Sequence, residues 1–307
     1  MTPSANTGTG TGHHRYVGAR VRLVAGRARL QPPVPTPASM VAGRFSVLSP
    51  GTERRHLAGG ASRDAGYMTL GRGSDAEGWT LAPVPHGAAF DPTLPGAVTA
   101  PPGVPATVAA VARFQQLAVI GLARVPPYTT LHGTVIVGSG PVALGCALEL
   151  LRRGAIGMRV ITTRRHPAIA SVPGVRCAPW LHGTHPGDSG LVIDAAGTPE
   201  RAAALLGPGG TLGLLGTPPR TAAVTALGAH RGGWTVIGMH ELAPAPPGYY
   251  QDAYTTAATW LAERFTPGQL SAWCRIVPGA EAPEIYRLLG SPGRPAEPVI
   301  LFDWEAR

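Results

Sequence analysis

The segment from Leu131 to Ala155 constrains the fold of this chain more than any other stretch. Thr134 to Val137 is a short apolar run rich in β-branched residues, which is typical of a buried parallel strand. A turn with two glycines follows, and a helix is predicted from Val142 to Arg153. Because a strand, a tight turn and a helix in this order form the first half of a βαβ unit, the segment predicts an α/β fold with a parallel sheet.

The turn in this segment has the sequence G-S-G-P-V-A, which matches the dinucleotide-binding pattern G-x-G-x-x-A. Gly138 permits a tight turn, Gly140 lets a pyrophosphate approach the backbone, and Ala143 lets the helix pack close to the strand. The helix N-terminus offers free N–H groups and a partial positive charge to the phosphates. The predicted cofactor contacts in this turn are Gly138, Ser139, Gly140, Pro141, Val142 and Ala143. The alternative is a glycine turn in an α/β domain that binds no nucleotide.

The pattern of strand, turn and helix repeats along residues 133–240, whereas the chain before residue 105 shows short strands and turns. Alternating units of this kind predict a doubly wound Rossmann sheet with helices on both faces. The predicted strands are Ala19–Leu23, Ala42–Leu48, Arg159–Thr163, Gly190–Ala195, Gly210–Leu215, Thr235–Met239 and Val299–Trp304. The predicted helices, besides that of the glycine motif, are Thr107–Arg124, Pro199–Leu206, Tyr250–Arg264 and Gly279–Leu289. We expect the last strand to return to the β-rich N-terminal part.

These elements predict four segments along the chain. Residues 1–14 are rich in Gly, Thr and Ser, which predicts a disordered tail. Residues 15–124 are predicted to form a β-rich substrate domain, and residues 125–265 a dinucleotide-binding domain. Residues 266–307 are predicted to return to the substrate domain and complete it.

The basic residues of the chain exclude several classes of function. All 26 are arginine, so neither a Schiff-base lysine nor a P-loop lysine is present. The formal net charge of +9 comes from arginines that never form a run longer than a pair and have no aromatic residues interleaved, which argues against nucleic-acid binding. A basic pocket for an anionic cofactor or substrate fits this distribution better.

The spacing of the cysteines and the hydropathy of the chain indicate the cellular compartment of the protein. Cys146, Cys177 and Cys274 lie far apart without a C-x-x-C pair, so the sequence indicates neither a disulfide framework nor a structural zinc site. The sequence shows no apolar signal region at its N-terminus and no run of about 18 apolar residues. We therefore expect a soluble, cytoplasmic protein that does not enter a membrane.

The end of the second predicted Rossmann strand bears on the choice of cofactor. An acidic residue at this place would hold the ribose 2′-hydroxyl of NAD, but the chain has Thr162 and Thr163, followed by Arg164 and Arg165. A guanidinium grips phosphate with two parallel hydrogen bonds, so this pair favours the 2′-phosphate of NADP(H) over NAD(H). The alternatives are a solvated arginine pair beside a site for NAD, and a site for FAD or S-adenosylmethionine.

Four pieces of sequence resemble a known family. They are Leu48–Glu53 (LSPGTE), similar to a C-G-T-D segment of that family; Gly138–Gly145; Val192–Gly197 (VIDAAG) followed by Leu205–Thr217; and Ala282–Leu289, similar to a penultimate helix. With these pieces the chain resembles the medium-chain dehydrogenase/reductase superfamily. The resemblance implies a GroES-like N-terminal domain and cofactor contacts from Ala196, Gly197, Gly216 and Thr217. The PGTE form resembles the zinc-lacking branch that includes bacteriochlorophyllide dehydrogenase-like and threonine dehydrogenase-like proteins.

The chain also departs from the zinc enzymes of that superfamily. Pro50 stands at the position of the first zinc ligand, a cysteine, and residues 67–73 read YMTLGRG, without the G-H-E that supplies a histidine ligand. The structural lobe with four cysteines is absent. The spacing between Thr52 and residues 97–108 is shorter than is usual in the family, which implies a truncated substrate domain. We expect no catalytic zinc and no other metal.

Without zinc, side chains must handle the charge on a substrate oxygen. The resemblance places Thr52 where the family has a substrate-binding hydroxyl, although threonine also suits a helix N-cap. His56 would share a helix face with Thr52 and exchange protons with solvent, unless it is a surface histidine. Glu53 is a candidate general base or the partner of an arginine, and Tyr67 a candidate proton donor or packing residue. Arg113 could bind a carboxylate, stabilise an oxyanion or form a salt bridge.

The sequence supports two kinds of function. The first is a zinc-independent NADP(H) oxidoreductase of specialised metabolism that acts on an alcohol, ketone or enoyl group. A β-hydroxy acid would suit Arg113, and a truncated domain would leave room for a substrate carried on a peptide or a carrier. The second is a non-catalytic cofactor-binding subunit or interaction module. By analogy with the family, Thr235–Met239 could join two copies in a homodimer, and a complex with another protein is the alternative.

Overall fold

The computed structural model describes residues 15–16, 20–37, 39–73, 77–180, 187–291 and 293–306. The predicted tail 1–14 lies outside these ranges. None of the helices within them combines the length and the hydropathy that a transmembrane span requires.

The first third of the chain forms short strands and two helices, as its frequent turns predict. In chain order these elements are β1 (Arg15–Tyr16), β2 (Arg20–Val24), β3 (Arg27–Gln31), β4 (Pro35–Thr36), β5 (Gly43–Leu48), α1 (Pro50–Ala58), β6 (Arg63–Asp64), β7 (Thr69–Gly71), β8 (Thr80–Ala82), β9 (Val98–Thr99) and α2 (Ala106–Leu122). The longest of them, α2, begins directly after Pro105, whose extended backbone precedes the first helical turn.

The middle of the chain alternates strands with helices. The elements are β10 (Val135–Val137), α3 (Pro141–Arg152), β11 (Met158–Thr162), β12 (Val175–Pro179), β13 (Ser189–Asp194), α4 (Pro199–Ala203), β14 (Leu206–Leu214), α5 (Ala226–Gly232) and β15 (Thr235–Gly238). The remaining elements are α6 (Tyr249–Arg264), α7 (Pro267–Ser271), β16 (Cys274–Pro278), α8 (Ala282–Leu288) and β17 (Val299–Asp303).

The strands of the middle segment form one parallel sheet in the order β12-β11-β10-β13-β14-β15. The chain starts at β10, moves outward to β12, and then continues on the other side from β13 to β15. The strand order therefore reverses between β10 and β13, which is where open α/β sheets form a crevice for ligands. The predicted α/β fold with a parallel Rossmann sheet is confirmed.

Alternate residues of these strands face two different helix layers. Ile136, Val160 and Ile193 pack in one cluster with α2, α3 and α6, whereas Val137 and Val192 pack with α4 on the opposite face. A strand buried on both faces needs apolar residues at every position, which is why these segments read as continuous Val/Ile/Leu runs. The sheet is thus covered on both sides, as the sequence predicts.

One predicted helix is wrong in extent. The helix expected over Pro199–Leu206 ends at Ala203, and Leu206 already begins β14, which is longer than the predicted Gly210–Leu215. The ladder between β13 and β14 shifts register between Ser189 and Leu191. A proline is tolerated at such an irregularity, so Pro208 does not end the strand. The other predicted strands and helices agree with the structure to within one or two residues, although the Gly279–Leu289 helix starts with a 3-10 turn.

A second sheet joins the two ends of the described chain, in the order β16-β17-β5-β7-β8-β9. Strand β17 lies antiparallel to β5, with Phe302 opposite Ser46. The first four residues of β17 are buried, and Trp304 beyond it donates a hydrogen bond from Nε1 to Oγ of Ser46 over 2.9 Å. The predicted return of the C-terminal segment to the β-rich part is confirmed.

A third sheet has the order β3-β2-β6 and lies beside α8. Val21 and Leu23 of β2 are fully buried and pack with Ile285 and Tyr286 of α8. The alternating residues of β2 point the other way, so this sheet has one buried face and one face toward solvent.

Helices α2 and α3 pack at backbone distance, which fixes the glycine motif against the rest of the molecule. A Cβ atom on Gly145 of α3 would lie 2.1 Å from the carbonyl oxygen of Phe114 in α2. Behind this contact, Glu149 of α3 is fully buried and accepts hydrogen bonds from Gln115, Arg152 and Arg153. The start of α3 is therefore held in place by contacts further along the same helix.

Candidate functional site

A cleft of about 690 Å³ opens at the carboxyl ends of the parallel strands, between these ends and α1. This size and place suit a dinucleotide and a small substrate. The predicted residues that line it are Thr52, Tyr67, Arg113, Gly138, Ser139, Gly140, Pro141, Val142, Thr162, Thr163, Arg164, Ala196, Gly197, Gly216 and Thr217. The predicted residues that do not line it are Glu53, His56, Ala143 and Arg165.

The glycine motif forms one wall of the cleft. Gly138 has φ +108°, which disfavours any side chain there. Gly140 has an ordinary φ of −83°, and a Cβ atom on it would meet nothing within 4 Å, so the open space in front of its backbone is not filled by protein. The amides at the start of α3 have no side-chain cap. An anion can therefore reach these N–H groups directly. Ala143 faces the interior and is fully buried.

Two further turns complete this wall. Gly197, with φ +74°, lies so close to the carbonyl of Thr217 that a Cβ would come within 2.3 Å of its oxygen, and a Cβ on Gly216 would come within 2.6 Å of Ala195. Asp194 holds the first of these turns, because its Oδ1 accepts hydrogen bonds from the amides of Ala196 and Gly197 at 3.0 and 2.9 Å. Burial raises the pKa of Asp194. Sequence reasoning missed its role, although the VIDAAG segment contained it.

One end of the cleft is rich in positive charge. The hydroxyls of Ser139 and Thr162 are 2.7 Å apart, and Nη1 of Arg164 donates to the carbonyls of Pro295 and Ala296 at 3.1 and 2.9 Å. Burial and the nearby Arg294 lower the pKa of Arg164, and the negative charge of Glu297 offsets part of this. Burial and Arg54 lower the pKa of Arg294 in turn.

Arg54, Arg164 and Arg294 therefore form a cluster, here called the arginine triad, in which each charge repels its neighbour. All three line the cleft, and none of them forms a salt bridge in the part of the chain that the structure describes. Such a cluster is chemically suited to an anion, because a bound phosphate would relieve the repulsion. Arg165 lies in a separate shallow pocket beside Ala272.

The other end of the cleft holds two neighbouring hydroxyls. Oγ1 of Thr52 in α1 lies 3.4 Å from the phenol oxygen of Tyr67, and Arg55 donates both to the carbonyl of Thr217 and, at 3.5 Å, to Thr52. Ser49 occupies the N-cap position of α1, ahead of Thr52 and without a side-chain cap bond. The N-cap alternative for Thr52 is therefore wrong, since Thr52 is the third residue of the helix.

Glu53 and His56 point away from the cleft. The Glu53 side chain is 1% exposed, and its Oε1 accepts a hydrogen bond of 3.1 Å from the amide of Gly66. Nδ1 of His56 lies 3.8 Å from Oε2 of Glu53. Burial raises the pKa of Glu53, although hydrogen bonds from Tyr286 and Gly66 offset part of this, and burial lowers the pKa of His56. The structure thus does not bring His56 together with Thr52 in the cleft.

Arg113 forms part of the cleft lining beside the hydroxyl pair. Its guanidinium donates to the Glu241 carboxylate and the Gln116 side-chain oxygen, and it lies 5.3 Å over the ring of Tyr250. The hydroxyl of Tyr250 donates to the same Glu241 oxygen over 2.7 Å. Burial is the largest single influence and acts to lower the pKa of Arg113, but Glu241, Tyr250 and Tyr67 together outweigh it, and the pKa is raised. Of the predicted alternatives, the salt bridge is present.

Sequence reasoning missed Glu241, Tyr250 and Arg294. Glu241 follows soon after the predicted strand Thr235–Met239, at the carboxyl edge of the sheet where ligands bind, and this position was the available signal. No sequence signal placed Arg294 beside Arg164, because the two residues come from loops that meet only in the fold.

The described residues contain no group of three or more His, Cys, Asp and Glu side chains placed to hold a metal ion.

Comparisons with known proteins identify the fold. No protein-family model matches the sequence, and no curated protein matches it. Solved structures do match. A short chain alcohol dehydrogenase of Escherichia coli CFT073, complexed with NADH, has a TM-score of 0.70 at 14% identity and covers 94% of this chain and 100% of its own.

Two other solved structures show the same likeness. Acetophenone reductase of Geotrichum candidum, in complex with NAD, has a TM-score of 0.71 at 12% identity, with 94% of this chain and 97% of that one covered. The quinone oxidoreductase of Thermus thermophilus, also studied with NADPH, has a TM-score of 0.67 at 19% identity, with 92% and 99% covered. The chain therefore shares the fold of these dehydrogenases and reductases.

Proposed function

We propose that this protein is a zinc-independent, NADP(H)-dependent oxidoreductase that transfers hydride to or from an alcohol or carbonyl carbon. The observation that carries the proposal is the arginine triad at the end of the cleft beside Thr162 and Thr163. A dinucleotide on the glycine motif would place its adenosine ribose at the end of β11, and no carboxylate lines the cleft there. The positive charge of the triad would stabilise the 2′-phosphate of NADP(H), a group that NAD(H) lacks.

The residues of the cleft fit such a cofactor. The free amides at the start of α3 and the open space at Gly140 suit the pyrophosphate. Gly216 and Thr217 line the cleft toward Thr52, so the nicotinamide would lie near the hydroxyl pair. Solved structures with this fold contain NADH, NAD or NADPH, which supports a dinucleotide as the cofactor. The choice between NAD(H) and NADP(H) therefore has to be argued from the residues of this chain.

The cofactor, when bound, supplies or accepts the hydride. The hydroxyls of Thr52 and Tyr67 would orient the substrate oxygen, and the phenol of Tyr67 would give it a proton during reduction and take one during oxidation. Arg113 lies within electrostatic reach of Tyr67, so its charge would stabilise negative charge on that oxygen. These side chains would do what a Lewis acid does in a zinc enzyme.

Several finer features belong to the same proposal. Pro50 in place of a cysteine, and the absence of a G-H-E segment, favour the zinc-lacking branch with a truncated GroES-like domain. We retain the division into 15–124, 125–265 and 266–307. A β-hydroxy acid or a substrate bound to a peptide or carrier, in specialised metabolism, fits the positive cleft. An enoyl reductase is the alternative reaction.

A non-catalytic subunit is the second candidate. The observation that would favour it is a nicotinamide pocket filled by side chains, but Thr52 and Gly216 both line the open cleft. We therefore keep the enzyme as the proposal. Pairing of two copies along β15 remains an analogy with proteins of this fold.

The first test is a titration of intrinsic tryptophan fluorescence with NADPH and with NADH. We expect tighter binding of NADPH, and we expect Arg164→Gln and Arg294→Gln each to weaken NADPH binding about tenfold, the equivalent of about 1.4 kcal/mol for one charge-assisted contact, while NADH binding stays the same. Arg165→Gln is the matched control, because Arg165 lies outside the cleft. Equal affinity for both nucleotides would refute the NADP(H) assignment, and no binding of either would refute the oxidoreductase.

A further inference from the structure

The solvent face of the sheet β3-β2-β6 carries four arginines, Arg20, Arg22, Arg27 and Arg29, here called the arginine face. In the antiparallel register of β2 and β3, Arg20 lies opposite Gln31, Arg22 opposite Arg29, and Val24 opposite Arg27. Directly opposite residues, and residues two apart on a strand, share one face of a sheet. All four arginines are therefore on the side opposite to the buried Val21 and Leu23.

Among the residues that the structure describes, one salt bridge involves these four arginines. Asp64 of β6, opposite Arg22, is the one carboxylate among the residues of these three strands, and its Oδ1 lies 3.8 Å from Nη1 of Arg22. Both side chains are more than a third exposed, so this pair contributes little. Like charges directly across a ladder, such as Arg22 and Arg29, are destabilising. Strand alternation requires polar residues here, but it does not require them all to be positive.

The arginine face begins beside the cleft. A Cβ atom on Gly26, in the turn between β2 and β3, would lie 3.2 Å from the carbonyl oxygen of Leu57, so this turn packs on the last turn of α1. The same helix presents Arg54, Arg55 and Ala58 to the cleft. Positive charge therefore continues from the entrance of the cleft across α1 and onto the arginine face.

We propose that the arginine face docks an acidic polypeptide that carries the substrate to the cleft. The delivery of a substrate rests on the oxidoreductase function proposed above, whereas the docking does not. Guanidinium groups bind carboxylates with paired hydrogen bonds. Arg22 and Arg29 stand about 5 Å apart across the strands, and each lies about 7 Å from the next arginine along its own strand, a spacing that a row of Asp or Glu side chains can match.

Two other classes of partner fit this face less well. Single-stranded nucleic acid needs aromatic side chains on which bases stack, and the outward positions of β2 and β3 hold only arginine, glutamine and valine. A membrane surface needs apolar side chains that insert beside the charges, and Val24 is the single apolar residue on this side of the two strands.

The test measures binding of a short fluorescein-labelled polyglutamate peptide by fluorescence anisotropy. The full chain is saturated with NADPH, so that the arginine triad is not available to the peptide. In the variant Arg22→Gln/Arg29→Gln we expect the Kd to rise at least about tenfold, because two of the four contacts lose their charge. The matched control is Arg231→Gln/Arg264→Gln, which removes two exposed arginines elsewhere, and we expect its Kd to stay within about twofold of the parent.

Three outcomes would overturn the proposal. One is equal weakening in the two double variants, which would show attraction by net charge alone. Another is tighter binding of a labelled oligonucleotide of equal charge, or of phosphatidylserine vesicles, than of polyglutamate. The third is unchanged peptide binding with new self-association in Arg22→Gln/Arg29→Gln, since arginines on the edge strand β3 would then serve to keep copies apart. The NADPH affinity of each variant is measured separately. It tests the cofactor proposal independently of the docking proposal.

Discussion

Arg113 is a buried charge at the cleft, and three side chains from different elements hold it in place. Its side chain is 5% exposed, and its partners Glu241, Gln116 and Tyr250 come from the loop after β15, from α2 and from α6. A buried guanidinium without a carboxylate is strongly destabilising, so Glu241 determines whether this arrangement exists at all. Removing one partner of a buried pair costs more than the pair itself contributes.

We predict that Glu241→Gln lowers the free energy of unfolding by about 3 kcal/mol, because Arg113 would remain buried without a counter-charge. Urea denaturation of the variant and the parent measures this difference. Glu284→Gln is the control, since Glu284 pairs with Arg287 on the exposed side of α8 and its loss should change stability by less than about 0.5 kcal/mol. Equal stability of the Glu241 variant and the parent would show that Arg113 does not depend on this carboxylate.

At the residue scale, the sequence was sufficient to find residues whose role depends on their own backbone conformation rather than on distant contacts. Gly138 needs its positive φ whatever surrounds it, and the pattern around it was sufficient to locate one wall of the cleft. Glu241 and Arg294 act only because separate loops meet Arg113 and Arg164 in the folded chain. No local pattern specifies such a meeting, and for this reason sequence reasoning named Arg113 and Arg164 without their partners.

At the scale of the elements, the turn that leads into α3 contains two glycines with different backbone requirements. Gly138 cannot take a side chain without strain, but Gly140 has an ordinary φ and free space at its Cβ position. The fold therefore does not require glycine at position 140. Under the proposed function, glycine would be required there because a pyrophosphate approaches its backbone.

We predict that Gly140→Ala folds normally but binds NADPH at least about tenfold more weakly, since its methyl group would occupy the path of the pyrophosphate. Thermal unfolding and the fluorescence titration measure the two effects on the same sample. Gly290→Ala, a glycine with equal free space outside the cleft, should change neither the Tm nor the NADPH affinity. Unchanged nucleotide affinity in Gly140→Ala would remove the glycine motif from the binding site.

Elements with strong periodic patterns were predicted well, and the irregular ones were not. The central strand β10 is apolar along its whole length, and α2 and α6 are long, so tertiary contacts could not override their signals. The short α4 and the bulge at the start of β14 depend on backbone pairing between Ser189 and Leu206, which no side-chain pattern encodes.

At the scale of the whole molecule, one feature is a fully buried histidine that packs against the sheet containing β5 and β17. His86 is fully buried, with Nε2 3.0 Å from the hydroxyl of Tyr286 and its ring edge-on to Phe302. Gly66 lies so close that a Cβ would come within 2.5 Å of the imidazole. Burial lowers the pKa of His86 from its ordinary 6.5 to about 3. The folded protein therefore takes up this proton far less readily than the unfolded chain.

The sign of the pH dependence follows from this difference. The stability linked to His86 is complete above pH 6.5 and is lost as the pH falls toward 3. We predict that between pH 6.5 and about pH 4.5 the parent loses about 2 kcal/mol more than His86→Gln does. Urea denaturation across this range measures the two slopes, and comparison with the variant removes the opposite contributions of Glu53 and Asp194, whose pKa values are raised.

His166→Gln serves as the reference for this experiment, because His166 is exposed. Its pH profile should follow that of the parent. Parallel slopes for the parent and His86→Gln would mean that His86 titrates normally in the folded protein, which would contradict its burial among Tyr286, Phe302 and Trp304.

The pairing of β17 with β5 has a consequence for biosynthesis. Trp304 and Ser46, which are joined by a hydrogen bond, are 258 residues apart, so a ribosome makes β5 long before its neighbour emerges. Until then one edge of β5 exposes backbone groups that could pair with another nascent chain. The strands β10 to β15 have no such delay, because they are translated one after another. We expect the parallel sheet to form first, while β5 stays exposed to pairing with other chains until β17 is made.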